Sequence, residues 1–178
     1  PNDTNGAVPG GFPISGKAVT FIRNNFELDT ILWDRAQVSV CYPGYPKKMD
    51  NESDASFSYR RDRDAAHVDG LHMEGSDRRR YLREYHGFIL GIPMVKTSSC
   101  ASPMVIWEGS HELIRNKFKK IYAEVDPAEW CNLDITGIYH GVRRKIFSTC
   151  RRVILNAEPG QAYLVHRLTL HGIASWTD

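Results

Sequence analysis

Two histidines and one aspartate are the residues of this sequence best suited to chemistry. His67 and Asp69 are separated by a single residue, and His171 lies far along the chain, directly before Gly172. Residues i and i+2 of a β-strand point to the same face of a sheet, so His67 and Asp69 are predicted to project side by side. Gly172 has no side chain, which lets the backbone turn close to a site.

These three side chains match a known type of metal site. Two imidazoles and one carboxylate on one face of a metal ion leave three coordination positions open, an arrangement typical of non-haem Fe(II) oxygenases. A structural metal site would be closed by four protein ligands. The pattern predicts an Fe(II) site at His67, Asp69 and His171. The spacing also permits a simpler interpretation, in which His67 and Asp69 form a surface pair and His171 is a buried core histidine.

Strands separated by turns, with a few helices between them, are expected to position these side chains. A helix is predicted over 17–25, and Ser110 begins another that carries an apolar stripe. Asp134 is expected to cap a helix that ends near Thr149. Glu158-Pro159-Gly160-Gln161 is predicted to be the turn of a hairpin. The predicted strands cover residues 31–42, 57–59, 87–95, 103–107, 152–156 and 162–170.

The order of these elements favours a mostly β fold with flanking helices. Regular alternation of strand and helix is missing, which argues against a doubly wound parallel sheet. An antiparallel β-barrel or jelly roll with helices packed outside is the expected architecture. The length of 178 residues suggests a single domain over residues 1–178.

Composition excludes several classes of protein. A formal net charge of +2 is small for a nucleic-acid-binding protein, so no nucleic-acid partner is expected. No apolar run approaches the length of about 20 residues that spans a bilayer, so no membrane partner is expected either. The start of the sequence shows no signal peptide. The four cysteines are scattered without a CxxC pair, which indicates reduced thiols and a cytoplasmic protein.

Three short segments form a pattern shared with a known family. They are His67-Val68-Asp69-Gly70, the apolar stretch 102–111 that ends in Gly-Ser-His, and residues 159–172, which run through a turn to His171-Gly172. In their order and separation they resemble the phytanoyl-CoA dioxygenase family of Fe(II)- and 2-oxoglutarate-dependent oxygenases. The resemblance covers roughly residues 60–178.

The resemblance implies a double-stranded β-helix, a relative of the jelly roll, that binds Fe(II) through His67, Asp69 and His171. It implies that His171, the histidine before glycine, is the ligand rather than His166. It also implies 2-oxoglutarate as co-substrate, dioxygen as oxidant and hydroxylation of an unidentified small molecule. The carboxylate of Asp69 argues for hydroxylation, because relatives that halogenate carry a small residue at that position.

The anchor of the co-substrate is the least specified part of the site. The family holds the far carboxylate of 2-oxoglutarate with an arginine on the strand after the distal histidine, which here is expected on a final strand beyond residue 178. Within the chain, Arg167 and Thr169 share strand parity with His171, and both are candidate co-substrate contacts. A bulge that turns Arg167 towards solvent is the alternative.

Two other functions remain open from the sequence. One is a cupin-like metal-dependent isomerase or hydrolase that uses the same three ligands without 2-oxoglutarate. The other is a β-sandwich binding module that holds no metal. His72 and Arg63 flank the metal motif and are further candidates for substrate contact, and His72 also permits a zinc-hydrolase interpretation. The sequence does not specify the substrate or the oligomeric state.

Overall fold

A computed structural model describes residues 1–177. Helix accounts for 29% of the chain and strand for 16%, and the strands form small antiparallel sheets. Residues 1–177 contain the following elements in chain order: α1 Lys17–Phe26, α2 Asp54–Asp62, β1 Leu71–Glu74, β2 Arg79–Leu82, β3 Phe88–Gly91, β4 Met104–Trp107, α3 Ser110–Tyr122, the 3₁₀ helix Pro127–Asn132, α4 Thr136–Thr149, β5 Arg152–Leu155, β6 Tyr163–His166 and β7 His171–Ile173.

The chain divides into two units, the first of which is Pro1–Cys41. It contains the helix predicted over 17–25, present as α1, which buries Val19 and Ile22. The strand predicted over 31–42 is wrong, because these residues bond to a loop instead of a neighbouring strand. The Trp33 N–H donates to the Thr4 carbonyl, and the Ala36 N–H donates to the side-chain oxygen of Asn2.

The second unit starts at Tyr42 and contains the sheets. One sheet has the strand order β5-β4-β7, a second pairs β3 with β6, and a third pairs β1 with β2; every pairing is antiparallel. The predicted antiparallel strands with accompanying helices are therefore confirmed, but helix exceeds strand, so the fold is not mostly β as expected, and residues 1–177 form no closed barrel. The predicted hairpin between 152–156 and 162–170 is wrong, since β5 pairs with β4 and β6 pairs with β3.

Local chemistry explains where three other predictions succeed or fail. The strand predicted at 57–59 is wrong: these residues lie within α2, whose start is capped by Ser53 accepting from the Ser56 N–H. The predicted start of a helix at Ser110 is confirmed by α3. The N-cap of α4 is Ile135 rather than the predicted Asp134, although Oδ1 of Asp134 accepts from both the N–H and the hydroxyl of Thr136, the first residue of the helix.

The core of the second unit lies between α3, α4 and the sheet β5-β4-β7. Val105 of β4, Ile114 of α3 and Ile146 of α4 are fully buried. Ser110, at the start of α3, is also buried, and its hydroxyl accepts from the Leu170 N–H at 2.9 Å. The start of α3 is thereby tied to the residue that immediately precedes β7.

No helix within residues 1–177 combines the length and apolar character needed to cross a membrane.

Candidate metal centre

The three residues predicted to bind metal converge in the structure. The Nε2 atom of His67 lies 3.3 Å from Oδ1 of Asp69, and Nε2 of His171 lies 3.5 Å from the same oxygen. The ligand atoms of the three side chains all lie within 4.8 Å of one another. Both imidazoles thus direct the same ring nitrogen towards one carboxylate oxygen, although the residues come from distant parts of the chain.

Backbone pairing brings the two histidines together. The His67 N–H donates to the His171 carbonyl at 2.8 Å, and the His171 N–H donates back to the His67 carbonyl at 3.0 Å. This isolated antiparallel bridge places the ring centroids 4.6 Å apart. Only His67 of the first motif pairs in this way, since Asp69 lies in a turn. The expectation of a strand through both residues is therefore met at His67 alone.

Two carbonyl groups orient the imidazoles. Nδ1 of His67 lies 3.0 Å from the Ala65 carbonyl oxygen, and Nδ1 of His171 lies 3.0 Å from the Thr169 carbonyl oxygen. A carbonyl only accepts hydrogen bonds, so each Nδ1 carries a proton, and Nε2 is the ring nitrogen that faces Asp69 and could bind a metal ion once its own proton is lost. Metal-binding histidines commonly donate their other ring N–H to such a group, which fixes the tautomer and the ring orientation.

The charge state of the cluster favours a cation. Burial raises the pKa of Asp69, but hydrogen bonds with His171 and His67 outweigh it and hold the pKa of that carboxyl well below its usual range. Burial lowers the pKa of His67, whereas its hydrogen bonds with Asp69 and the Ala65 carbonyl bring the pKa above the ordinary value. Asp69 therefore stays ionised, and a metal ion would replace the proton shared with His67.

An ion pair that the sequence did not predict holds together the backbone segments next to the site. Asp64 is 6% exposed, and its two carboxylate oxygens accept from Nε and Nη2 of Arg152, each at 2.7 Å. The Asp64 carbonyl accepts from the Ile173 N–H at 2.9 Å. Asp64 thereby connects β5 with β7, the strand that starts at His171. Since Asp64 and Arg152 lie far apart in the chain, no local sequence signal identifies this pair.

Two glycines allow the close approach of backbone segments at the site. A side chain at Gly172 would collide with the carbonyl group of Asp64, so the bare backbone is needed beside His171. Gly70, which follows Asp69, has a φ of +80° and accepts at its carbonyl from the Arg83 and Glu84 N–H groups. The chain can therefore turn sharply after Asp69 and enter β1. Gly172 lies within β7 and not in a turn as expected, and its missing side chain instead permits the close approach of the Asp64 backbone.

The candidate co-substrate contacts are placed differently from the prediction. β6 ends at His166, and a turn separates it from β7, so the parity argument for Arg167 and Thr169 is wrong. Arg167 donates from Nη1 to the His86 carbonyl at 2.9 Å. Thr169 is buried, and it contributes to the site through the carbonyl group that accepts from His171. Their binding of 2-oxoglutarate stays a prediction.

The remaining histidines near the motifs have other partners. His166 is exposed, its ring lies 4.9 Å from that of His111, and its Nδ1 accepts from the Leu168 N–H. His72 contacts Glu84 at 3.1 Å. Arg63 lies over the ring of Phe147, with its guanidinium carbon 4.9 Å from the ring centroid. Among residues 1–177, the group of three possible ligands is His67, Asp69 and His171.

The donor set fits a first-row divalent ion. Neighbouring ligand atoms around such an ion lie about 3 Å apart, given metal–ligand distances of about 2.1 Å. The separations of 3.3 and 3.5 Å between the imidazoles and Asp69 are close to that value. Two nitrogens and one oxygen also suit iron better than calcium or magnesium, which prefer oxygen ligands throughout.

Comparison with known proteins identifies no relative of the chain, since no family model, no curated protein and no solved structure matches it.

Proposed function

We propose that this protein is an Fe(II)- and 2-oxoglutarate-dependent dioxygenase that hydroxylates a small molecule. The observation that carries the proposal is the approach of Nε2 of both His67 and His171 to one oxygen of Asp69. Two imidazoles and one carboxylate are the protein ligands of the facial triad in this class of oxygenase. The resemblance of three sequence segments to the phytanoyl-CoA dioxygenase family points to the same reaction.

The strand pairing supports a double-stranded β-helix as the scaffold. β4, β5 and β7 belong to one antiparallel sheet, and His67 extends that sheet by its bridge to His171. β3 and β6 pair in a separate antiparallel sheet. The chain therefore passes from one of these two sheets to the other between β3 and β4, between β5 and β6 and between β6 and β7, and such passages also occur in a jelly roll. In this fold the ligands of the first and last segments lie side by side on adjacent strands.

The residues of the chain have distinct roles in the proposed site. His67, Asp69 and His171 would hold the ion, and the ion would supply open positions for a 2-oxo acid and dioxygen together with the redox chemistry of hydroxylation. The Ala65 and Thr169 carbonyls keep the Nδ1 protons in place, so that both Nε2 atoms stay free to bind. Asp64 and Arg152 hold the backbone that carries His171.

Titration with Fe(II) under anaerobic conditions tests the metal site. We expect the protein to bind one Fe(II) ion, and His67→Ala, Asp69→Ala and His171→Ala each to weaken binding by about 100-fold or more, because each removes one of three ligands. His166→Ala is the matched control and should bind as the unchanged protein does. Circular dichroism checks that each variant is folded. Ligand variants that are folded and bind Fe(II) normally would refute the site.

Turnover tests the reaction itself. The iron-loaded protein, supplied with ascorbate and 2-oxoglutarate in air, is expected to form succinate and carbon dioxide, slowly without substrate and faster with it. Asp69→Ala should abolish this formation. Binding of Fe(II) without any succinate would contradict the dioxygenase proposal and favour the metal-dependent isomerase or hydrolase.

A further inference from the structure

Two arginines and two tyrosines form a cluster against the segment that carries His67 and Asp69. The guanidinium carbons of Arg80 and Arg143 each lie 5.3 Å from the ring centroid of Tyr139, and Arg143 lies 4.7 Å from that of Tyr59. Tyr59 donates from its hydroxyl to the Ala66 carbonyl at 2.6 Å. We call these four residues the Arg80–Arg143 cluster.

The cluster contains hydrogen-bonding groups that have no partner. Tyr139 is fully buried, and its hydroxyl makes no hydrogen bond of good geometry within residues 1–177, although the backbone of Val68 and the guanidinium of Arg143 lie near it. Nε of Arg80 is also buried without a partner in that part of the chain. Leaving a buried donor unpaired costs free energy, and the cost is larger for a charged group. These groups therefore point to a ligand that accepts hydrogen bonds.

The cluster is electropositive. Within residues 1–177, no carboxylate forms an ion pair with Arg80 or Arg143, whose contacts are with aromatic rings and, for Arg80, the Leu71 carbonyl. Burial lowers the pKa of Arg80, and Arg143 lowers it as well. Burial also lowers the pKa of the neighbouring His140, with Arg143 and Arg80 as further causes. Two like charges beside one tyrosine repel each other, and an anion bound next to both would relieve that repulsion.

We propose that the Arg80–Arg143 cluster binds the carboxylate group of a small organic acid. A guanidinium presents N–H groups in a planar fork that matches a carboxylate, and the Tyr139 hydroxyl adds a third donor group. Arg143 is only partly buried, so a ligand could reach it from solvent, whereas Tyr139 is fully buried and forms the inner end of the cluster. The ligand would contact both guanidinium groups, with one oxygen directed at the Tyr139 hydroxyl.

The position of the cluster connects this ligand with the metal ligands. Tyr59 bonds to the residue before His67, and Arg80 bonds to the Leu71 carbonyl, two residues after Asp69. The charge of Arg80 also acts on the pKa of His67. The carboxylate could belong to 2-oxoglutarate or to the substrate. Naming 2-oxoglutarate as one source rests on the proposed function, whereas the anion site itself does not.

Calorimetric titration of the metal-free protein with succinate tests the site, because succinate has carboxylates but no 2-oxo group that could chelate a metal. We expect binding at about 1 mM or tighter. Arg80→Gln and Arg143→Gln should each weaken it by about tenfold or more, the effect of one charged hydrogen bond. Arg144→Gln, an exposed neighbour on α4, is the matched control and should leave it unchanged.

The Tyr139→Phe variant distinguishes a loss of ligand binding from a loss of folding stability. It removes one buried hydroxyl that has no partner in the described protein, so thermal stability should be unchanged or higher while succinate binds several-fold more weakly. Absence of succinate binding, or equal binding by all these variants, would overturn the proposal. Because the protein is metal-free, this result is independent of whether the Fe(II) and turnover experiments succeed.

Titration of the iron-loaded protein with succinate in the presence of 2-oxoglutarate shows which molecule supplies the carboxylate. If succinate competes with 2-oxoglutarate, and Arg80→Gln and Arg143→Gln weaken the binding of both, the cluster binds the co-substrate. If succinate and 2-oxoglutarate bind at the same time, the cluster binds a carboxylate of the substrate. Either result supports the anion site.

Discussion

At the residue scale, the candidate metal centre depends on which ring nitrogen of each histidine is free. The Ala65 and Thr169 carbonyls engage Nδ1 of His67 and His171, so the Nε2 atoms of both rings converge on Asp69. Side chains with other orientations at the same positions would not form a metal site. The backbone, rather than neighbouring side chains, therefore determines the geometry of both imidazoles.

Gly172 is the residue at which this backbone packing is tightest. Gly172→Ala would place a methyl group against the Asp64 carbonyl, and we expect the free energy of unfolding to fall by about 2 kcal/mol, as in other overpacked sites. Fe(II) affinity should fall as well, because His171 is the adjacent residue. Chemical denaturation and anaerobic titration measure the two effects.

Gly141→Ala is the control for that substitution. Gly141 lies within α4, where an added methyl group meets no atom within 4 Å. Alanine is the better helix former, so stability should rise by about 1 kcal/mol. A Gly172→Ala protein as stable as the unchanged protein would show that the β7 segment has room to move.

At the element scale, the site depends on how β5 and β7 are held around β4. β4 pairs with both strands, and the Asp64–Arg152 ion pair adds a second connection between β5 and the residues around Gly172. Asp64 and Ala65 both have positive φ values, of 54° and 52°. The turn before His67 is thus held in an uncommon conformation by the elements on either side.

Arg152→Gln tests this connection. It leaves the buried carboxylate of Asp64 without its charged partner, and because Arg152 is partly exposed we expect a loss of stability of about 1–2 kcal/mol. If the pair positions His171, Fe(II) affinity should fall about tenfold. Arg151→Gln is the matched control, since Arg151 pairs with the exposed Glu108 and should change stability by less than about 0.5 kcal/mol. Unchanged Fe(II) affinity in Arg152→Gln would show that the pair has a structural role only.

At the scale of the whole molecule, several carboxylates bind arginines or hydroxyls and have lowered pKa values. Asp62, Glu74 and Asp134 are three examples, and in each the largest cause is a side-chain hydrogen bond. Glu52 shows the largest change among the ion pairs away from the site: hydrogen bonds from Arg60 lower its pKa from 4.5 to about 2. Acid should therefore destabilise the molecule as a whole.

The sign of this effect can be tested at Glu52. A carboxyl whose pKa is lower in the folded state stabilises the protein fully above its unfolded pKa of about 4.5. That contribution is lost as the pH falls from 4.5 towards 2. Unfolding curves should show that Glu52→Gln is less stable than the unchanged protein at pH 7 and that the difference shrinks below pH 4.5. A difference that is independent of pH would contradict the role assigned to the ion pair.

The sequence by itself determined the three candidate metal ligands, the helices α1 and α3, and the antiparallel character of the sheets. These features rest on local properties: residue types, spacing, apolar periodicity and capping. Sequence reasoning placed 57–59 in a strand and joined β5 to β6, because a short apolar run fits either structure and a turn does not identify its strand partners. Only the tertiary structure decided those pairings.

The contacts that hold the candidate metal centre in place also could not be predicted from the sequence. The Asp64–Arg152 pair, the carbonyl partners of the imidazoles and the Arg80–Arg143 cluster join residues that are remote in the chain or depend on the exact path of the backbone. Long-range hydrogen bonds and ion pairs leave no periodic pattern in a single sequence. Residue types and spacing therefore identified the three candidate ligands, whereas the orientation and electrostatic surroundings of these side chains arise from packing.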